Sequence, residues 1–222
     1  MFRLEPEPGV TIVRRQFLRL SAGALGILLG GCAPRRPPPA PVTPITWDEF
    51  SGELAPRAEA LLAQKMTEDA YVAEIVERLR RVDPKLIPPK KDLPRTKIFQ
   101  VVEFGLTEGS GFRYHDHRRY NGVIFVLDGA VRCRNFDVVG PNRMPPAGEK
   151  LRIRETAGGV RRTGEASTLT TTRDNIHDVR GAEGGCRLLD IFTWMGKNPR
   201  SVYMDVDETP VEPGVFEGSF TS

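Results

Sequence analysis

The sequence predicts a mainly β domain, a sandwich or jelly roll with helices packed on it, and three observations carry that prediction. Beyond Pro94 the chain breaks into short apolar runs separated by glycine-rich turns. Ahead of them, residues 47–96 show helical periodicity. No internal repeat of the kind that marks a propeller or solenoid is present.

The β prediction rests on runs at 97–106, 112–117, 122–127, 130–139, 150–155, 167–171, 175–180, 186–194 and 201–206. Glu108-Gly109-Ser110-Gly111, Asp128-Gly129, Gly158-Gly159 and Glu183-Gly184-Gly185 supply turns, and 141–148 reads as a loop near the barrel. The barrel is placed at 97–207, and 208–222, with Pro210, Pro213, Gly214 and Gly218, reads as a loose C-terminal arm.

Within the helical part, Thr46-Trp47-Asp48-Glu49 is a capping-box pattern, with Ile45 and Phe50 spaced for a hydrophobic staple. Pro56 is expected to interrupt or restart that helix. A second helix after Thr67 carries Tyr71, Val72, Ile75, Val76, Leu79 and Val82 as one apolar stripe, expected to pack on the barrel.

The first 31 residues read as an export signal and are set aside from the fold. Arg14-Arg15-Gln16-Phe17-Leu18-Arg19 looks like a twin-arginine motif, and Leu20 to Gly31 is an uncharged run too short to span a bilayer comfortably. It leads into Leu29-Gly30-Gly31-Cys32, which resembles the bacterial lipobox; that resemblance implies lipidation of Cys32 and a lipid-anchored protein of the bacterial envelope, facing the periplasm or exterior. Residues 32–46, rich in proline, read as a stiff tether. The twin-arginine route, associated with export of folded proteins, would let a metal be loaded before export, away from competition with copper or zinc.

Removing the leader takes away four basic and two acidic residues and leaves 28 against 27 in 191 residues, enough for one domain with a substantial core. That near-neutral balance, without a Lys/Arg block, gives no reason to invoke nucleic acid, and a monomer is expected. Besides Cys32 only Cys133 and Cys186 remain; an oxidising compartment would permit a bridge, but two thiols buried in the barrel are the simpler expectation.

Three histidines exist in the chain, and two stand together in Tyr114-His115-Asp116-His117. On a strand, residues i and i+2 share a face, so His115 and His117 project together and Asp116 points away. His177, in Asn175-Ile176-His177, would complete a facial set of three imidazoles if its strand lay opposite, leaving other coordination positions open.

His115-Asp116-His117 leading into Val123 to Gly129, and Asp174-Asn175-Ile176-His177 leading into Cys186 to Ile191, resemble the cupin-fold thiol dioxygenases, in particular the branch of cysteamine dioxygenase and the plant cysteine oxidases. The resemblance runs from Lys97 to about Gly196. It implies a cupin barrel, Fe(II) held by His115, His117 and His177, and oxygenation of a small thiol or N-terminal cysteine to a sulfinate by O2. It also aligns Asp190 with a family aspartate near the active site, taken here as the candidate catalytic residue. An inward Asp190 needs a partner, for which a substrate amine, Arg113 or Arg134 would serve. Arg113 and Tyr114 are candidates to line the mouth and bind substrate.

The glutamate that follows the His-x-His pair in many cupins is absent, since no acidic residue lies between His117 and Asp128. The ion's charge is then left for an anionic thiolate to meet. Gly122 replaces the cross-linking cysteine of some cysteine dioxygenases, so no thioether is expected, and the lack of a fourth histidine puts free cysteine in doubt as substrate. Zinc, manganese, nickel or copper on the same imidazoles, supporting hydrolysis or hydration, is one alternative. A non-enzymatic envelope lipoprotein binding a small molecule or metal is another.

Overall fold

The computed structural model describes residues 43–141 and 143–221. The leader, Arg14, Arg15, Cys32 and the first part of the tether lie outside the described residues. Two helices, α1 (Trp47–Leu62) and α2 (Glu68–Leu79), precede eight strands: β1 (Phe99–Leu106), β2 (Gly111–Arg118), β3 (Tyr120–Val139), β4 (Lys150–Arg162), β5 (Ala166–Leu169), β6 (Ile176–Trp194), β7 (Arg200–Val206) and β8 (Val215–Phe220). All strand ladders are antiparallel.

The capping box forms as the sequence predicts: Glu49 N–H donates to Thr46 Oγ1 at 3.2 Å, and Thr46 N–H donates to Glu49 Oε2 at 2.7 Å. Pro56 does not interrupt α1, contrary to expectation. Its missing donor orphans the carbonyl of Gly52, and both residues face solvent, so that oxygen is not sealed in a dry core. The buried stripe of Trp47, Phe50, Leu54, Ala58 and Leu61 continues unbroken on the other side.

Two long strands organise the β structure. β3 and β6 pair from Tyr120↔Trp194 to Phe136↔Ile176, with register shifts at 126–128 and 129–131. These bulges bend both strands, so that each belongs to two layers. One layer is β5, the first half of β3, the second half of β6 and β1. In the other, β2, β6, β3, β4, β8 and β7 follow one another and β7 returns to β2, closing a ring of six. The predicted jelly-roll barrel of the cupin type is what the chain forms, with helices on it.

Asp128-Gly129 is therefore a bend within β3 rather than a hairpin turn. Gly129 has φ +76°, and a Cβ there would lie 2.2 Å from Gly185 O, so only glycine fits. Gly158-Gly159 and Gly184-Gly185 likewise fall inside β4 and β6. The expected loose arm needs a larger correction: Val215–Phe220 is β8, inserted between β4 and β7, and it closes the ring.

The core divides accordingly. Helical residues pack with Phe99, Val101, Val123, Phe125, Leu127, Leu189 and Ile191 on the outer face of the first layer. Ile124, Val126, Val131, Cys133, Val179 and Leu188 fill the space between layers. Tyr114, Phe136, Ile153, Ile176, Met204 and Phe216 are among those that fill the ring. Cys133 and Cys186 are free thiols. No helix among the described residues is long and apolar enough to cross a membrane.

Candidate metal centre

His115 and His117 leave β2 on one side, as the two-residue repeat requires, and β2 pairs with β6 so that His115 lies opposite His177. Their Nε2 atoms form a nearly equilateral triangle: 3.1 Å for His115 to His117, 3.0 Å for His117 to His177 and 3.0 Å for His177 to His115. All three rings are buried, and among the described residues this is the cluster of His, Cys, Asp and Glu able to hold a metal ion. It contains no carboxylate.

The triangle tests the fit of an ion. Two metal-nitrogen bonds of about 2.1 Å at a right angle set their nitrogens about 3.0 Å apart, whereas a tetrahedral angle sets them about 3.4 Å apart. The observed edges match the right angle, the facial half of an octahedron. Protonation favours the same donor set. Burial first, then the neighbouring imidazoles, push His117 and His177 well below the ordinary imidazole pKa. Burial also lowers His115, opposed by the Arg113 carbonyl and Asp178. Three neutral rings thus meet at neutral pH.

The tautomer is set at one corner. His115 Nδ1 stands 2.8 Å from the Arg113 carbonyl and donates to it, which leaves Nε2 with its lone pair. His117 is held otherwise, since its Nδ1 is buried with no partner among the described residues. Asn175 grips its backbone from both sides: Asn175 Nδ2 donates to His117 O at 3.0 Å, and His117 N–H donates to Asn175 O at 3.1 Å. The Tyr120 ring lies 4.3 Å from the His117 ring, and the Tyr120 hydroxyl is hydrogen-bonded to Ser201. Asn175→Ala should weaken metal affinity about 10- to 100-fold, as losses of ligand-orienting contacts do, read by competitive chelator titration. Unchanged affinity would show that the backbone ladder alone holds His117.

Helix α2 reaches the same region. Glu68 accepts from Thr171 N–H at 2.9 Å and Asp69 pairs with Arg173 at 2.8 Å, fixing the loop that delivers Asn175 and His177. Tyr120 and Asn175 escaped assignment from sequence for different reasons. Arg119, at φ +64°, breaks the alternation between β2 and β3, so no periodicity links Tyr120 to His117. Asn175 acts on backbone, which no motif signals.

The remaining sequence candidates separate. Asp190 lies between the layers, opposite Ile124, on the face of β6 that also carries Phe192, whose ring is 6.3 Å from that of His117. It has no ion pair among the described residues, its Oδ1 has no partner, and burial drives its pKa well above the carboxylate range. The arginines considered for it are engaged elsewhere: Arg134 with Glu155 at 3.0 Å and Glu208 at 2.8 Å, and Arg113 with Asp205 at 3.7 Å. Arg113 is exposed and stacks on Tyr203, whose ring is 5.5 Å from that of His115, so it stands at the edge of the site. Tyr114 does not line the site. Strand alternation turns it into the ring, where its hydroxyl donates to Glu208 at 2.7 Å.

A scan against protein-family models finds no match. The chain is 30% identical over 175 residues to 2-aminoethanethiol dioxygenase of Homo sapiens, covering 70% of this chain and 63% of that protein. It is 30% identical over 153 residues to the Mus musculus 2-aminoethanethiol dioxygenase, covering 60% and 59%. It thus spans less than two thirds of the length of these relatives. Solved structures align over less than half of the chain: KdgF from Halomonas sp. at 16% identity, 48% of this chain, 79% of that one and TM-score 0.34, and pumpkin seed globulin at 13%, 47%, 23% and 0.34. The barrel assignment therefore rests on this chain's own strand pairing. In sequence the chain is similar to curated thiol dioxygenases, and its barrel brings three histidines to one point.

Proposed function

We propose that the protein is a non-haem iron thiol dioxygenase that converts a small thiol or N-terminal cysteine, R–SH, and O2 to the sulfinic acid R–SO2H. Both oxygen atoms go to sulfur, which supplies the four electrons that reduce O2. The observation that carries this reading is the triangle of buried, neutral Nε2 atoms with right-angle spacing and no carboxylate. His115, His117 and His177 would hold Fe(II), which supplies a place for thiolate and O2 to meet and the electrons that activate O2.

The chain's own residues shape the rest. Phe112, Tyr120, Phe192 and Tyr203 surround the imidazoles with aromatic surface and keep the surroundings poorly hydrated. A neutral ligand set leaves an ion's positive charge uncancelled, which lowers the cost of holding a thiolate there. Asp190, buried and without an ion pair among the described residues, is the partner for a substrate amine close to the sulfur; an amine arriving neutral takes the Asp190 proton and the two complete an ion pair inside the barrel.

The decisive test is anaerobic iron loading of the purified protein, then oxygen uptake and product mass across a panel of thiols. A gain of two oxygen atoms on sulfur is expected. Iron-replete protein that oxidises no thiol would sink the proposal, and activity with zinc but not iron would favour hydrolysis.

Asp190 also has a signature in stability. Its folded pKa is raised from 3.8, so the stability tied to its proton is complete below 3.8 and is lost as pH rises from there through the raised folded value. Denaturant unfolding between about pH 5 and 9 should show that loss in the parent and a flatter profile in Asp190→Asn. Identical slopes would mean that Asp190 is not held neutral. We also propose export by Arg14 and Arg15 and lipid anchoring at Cys32; radiolabelled palmitate should enter the parent in cells and fail to enter Cys32→Ser.

A further inference from the structure

The ring of six strands opens at the end of β2 into a cavity of about 650 Å³, walled by Val138, Ile176 and Phe220 of the ring core and lined by Arg118, Arg119, Arg143 and Arg200. Its volume is that of a small-molecule site. It is a space apart from the metal centre. Asp116 and Arg118 alternate with His115 and His117 along β2, so their side chains leave the strand on the face opposite to the imidazoles, and Asp116 stands across the ladder from Ile176 of the ring core.

The charge of this cavity is one-sided. Four guanidiniums share its wall with two carboxylates, Asp116 and Asp137, which leaves a surplus of two positive charges. Both carboxylates are engaged: Asp116 with Arg118 and with Val202 N–H at 3.0 Å, Asp137 with Asp174 N–H at 2.6 Å. Arg118 is held in place, since its Nε donates to Asp116 at 2.8 Å and its guanidinium lies 4.7 Å from the centre of the Phe220 ring. Its two terminal nitrogens keep no acceptor among the described residues. Directly across the ladder between β2 and β7 from Arg118 stands Arg200, which has no ion pair among the described residues. Like charges at opposed positions destabilise a sheet. An anion between the two converts that repulsion into attraction.

The number and placing of these cations select the anion. One arginine fork satisfies a planar carboxylate, whereas guanidiniums supplied by β2, by the loop at 143 and by β7 suit the several oxygens of a tetrahedral phosphate. A phosphate monoester carries about 1.5 to 2 negative charges at neutral pH, which matches the surplus. The apolar wall takes its organic part.

We propose that the open end of the ring is a second binding site, for a phosphate monoester with a small apolar body. The assignment does not depend on the thiol dioxygenase reading.

Calorimetric titration of phenyl phosphate, diethyl phosphate and benzoate tests it, in the iron-loaded protein and in His177→Ala, whose crippled metal centre separates this site from phosphate held by an ion. Phenyl phosphate is expected to bind both proteins, at least about tenfold more tightly than either other probe. The Arg143→Gln/Arg200→Gln double variant should bind it about tenfold or more weakly. Its urea midpoint without ligand should equal or exceed that of the parent, because the opposed charges are gone; Arg200→Gln alone carries the same test if the pair unfolds. Lys65→Gln/Lys91→Gln, which removes two exposed charges elsewhere, should bind as the parent does. Absence of binding, binding lost in His177→Ala, equal binding by the arginine variants or equal weakening by the lysine variant overturns the site. Tighter binding of diethyl phosphate or benzoate overturns the monoester assignment.

Discussion

Replacing His177 with alanine should cut the proposed iron from about one ion per chain to less than a tenth of that, because two imidazoles on one strand cannot close a facial site. The barrel should remain folded. His177 sits between layers, and its neighbours Ile176 and Val179 carry the packing on either side of β6. Removing it also relieves a cost at acid pH, since burial and the neighbouring rings hold these imidazoles well below the ordinary value of 6.5 and oppose any proton taken up. The apo form of His177→Ala is therefore expected to lose less stability than the apo parent as pH falls below about 6.5, while the stabilisation the parent gains from the metal disappears. Iron analysis after desalting, paired with denaturation across pH with and without iron, reads both effects. Stoichiometric iron in His177→Ala would show that the ligands have been misassigned.

The site was legible where its chemistry follows a short period. His115 and His117 are two apart, so one rule places them on one face, and with only one histidine left His177 had no rival. The same rule sends Tyr114 to the opposite face, which is why Tyr114 packs in the ring and not at the mouth. What the sequence hides is whatever depends on strands far apart in the chain. Asp128-Gly129 carries the signal of a hairpin turn, yet β3 continues through it because β6 lies alongside for the whole length and bends in step. Val215–Phe220 looks weak as a strand, short and flanked by proline and glycine, and it is held by β4 and β7 on its two sides. A cavity at the end of β2 is lined by Arg118, Arg119, Arg143 and Arg200, which share no motif.

The ring of six strands is the scaffold that keeps β2 and β6 at the spacing the triad needs, and Phe136 is its keystone. Its side chain is fully buried, tilted against Tyr114 at 5.4 Å and edge-on to Phe216 at 5.8 Å, with the Arg134 guanidinium 5.0 Å from its ring. Phe136→Ala should cost about 3–5 kcal/mol, the usual range for a core aromatic cut to a methyl. That is a large share of the 5–15 kcal/mol by which domains are typically stable. Part of the loss is specific to this site, because Arg134 would keep its charge in a cavity while losing one of the ring faces that shield it. Alternation confines the damage. Asn135, the neighbour that shares a face with His177, still donates to the Thr168 carbonyl and accepts from Ser167, so the site-facing side of β3 keeps its contacts. Urea unfolding should show the midpoint falling sharply, while the folded fraction of Phe136→Ala binds iron with parental affinity. A variant that stays as stable as the parent would mean that the ring core is not what holds the domain; one that folds normally but loses iron would mean that scaffold and site are not separable across β3.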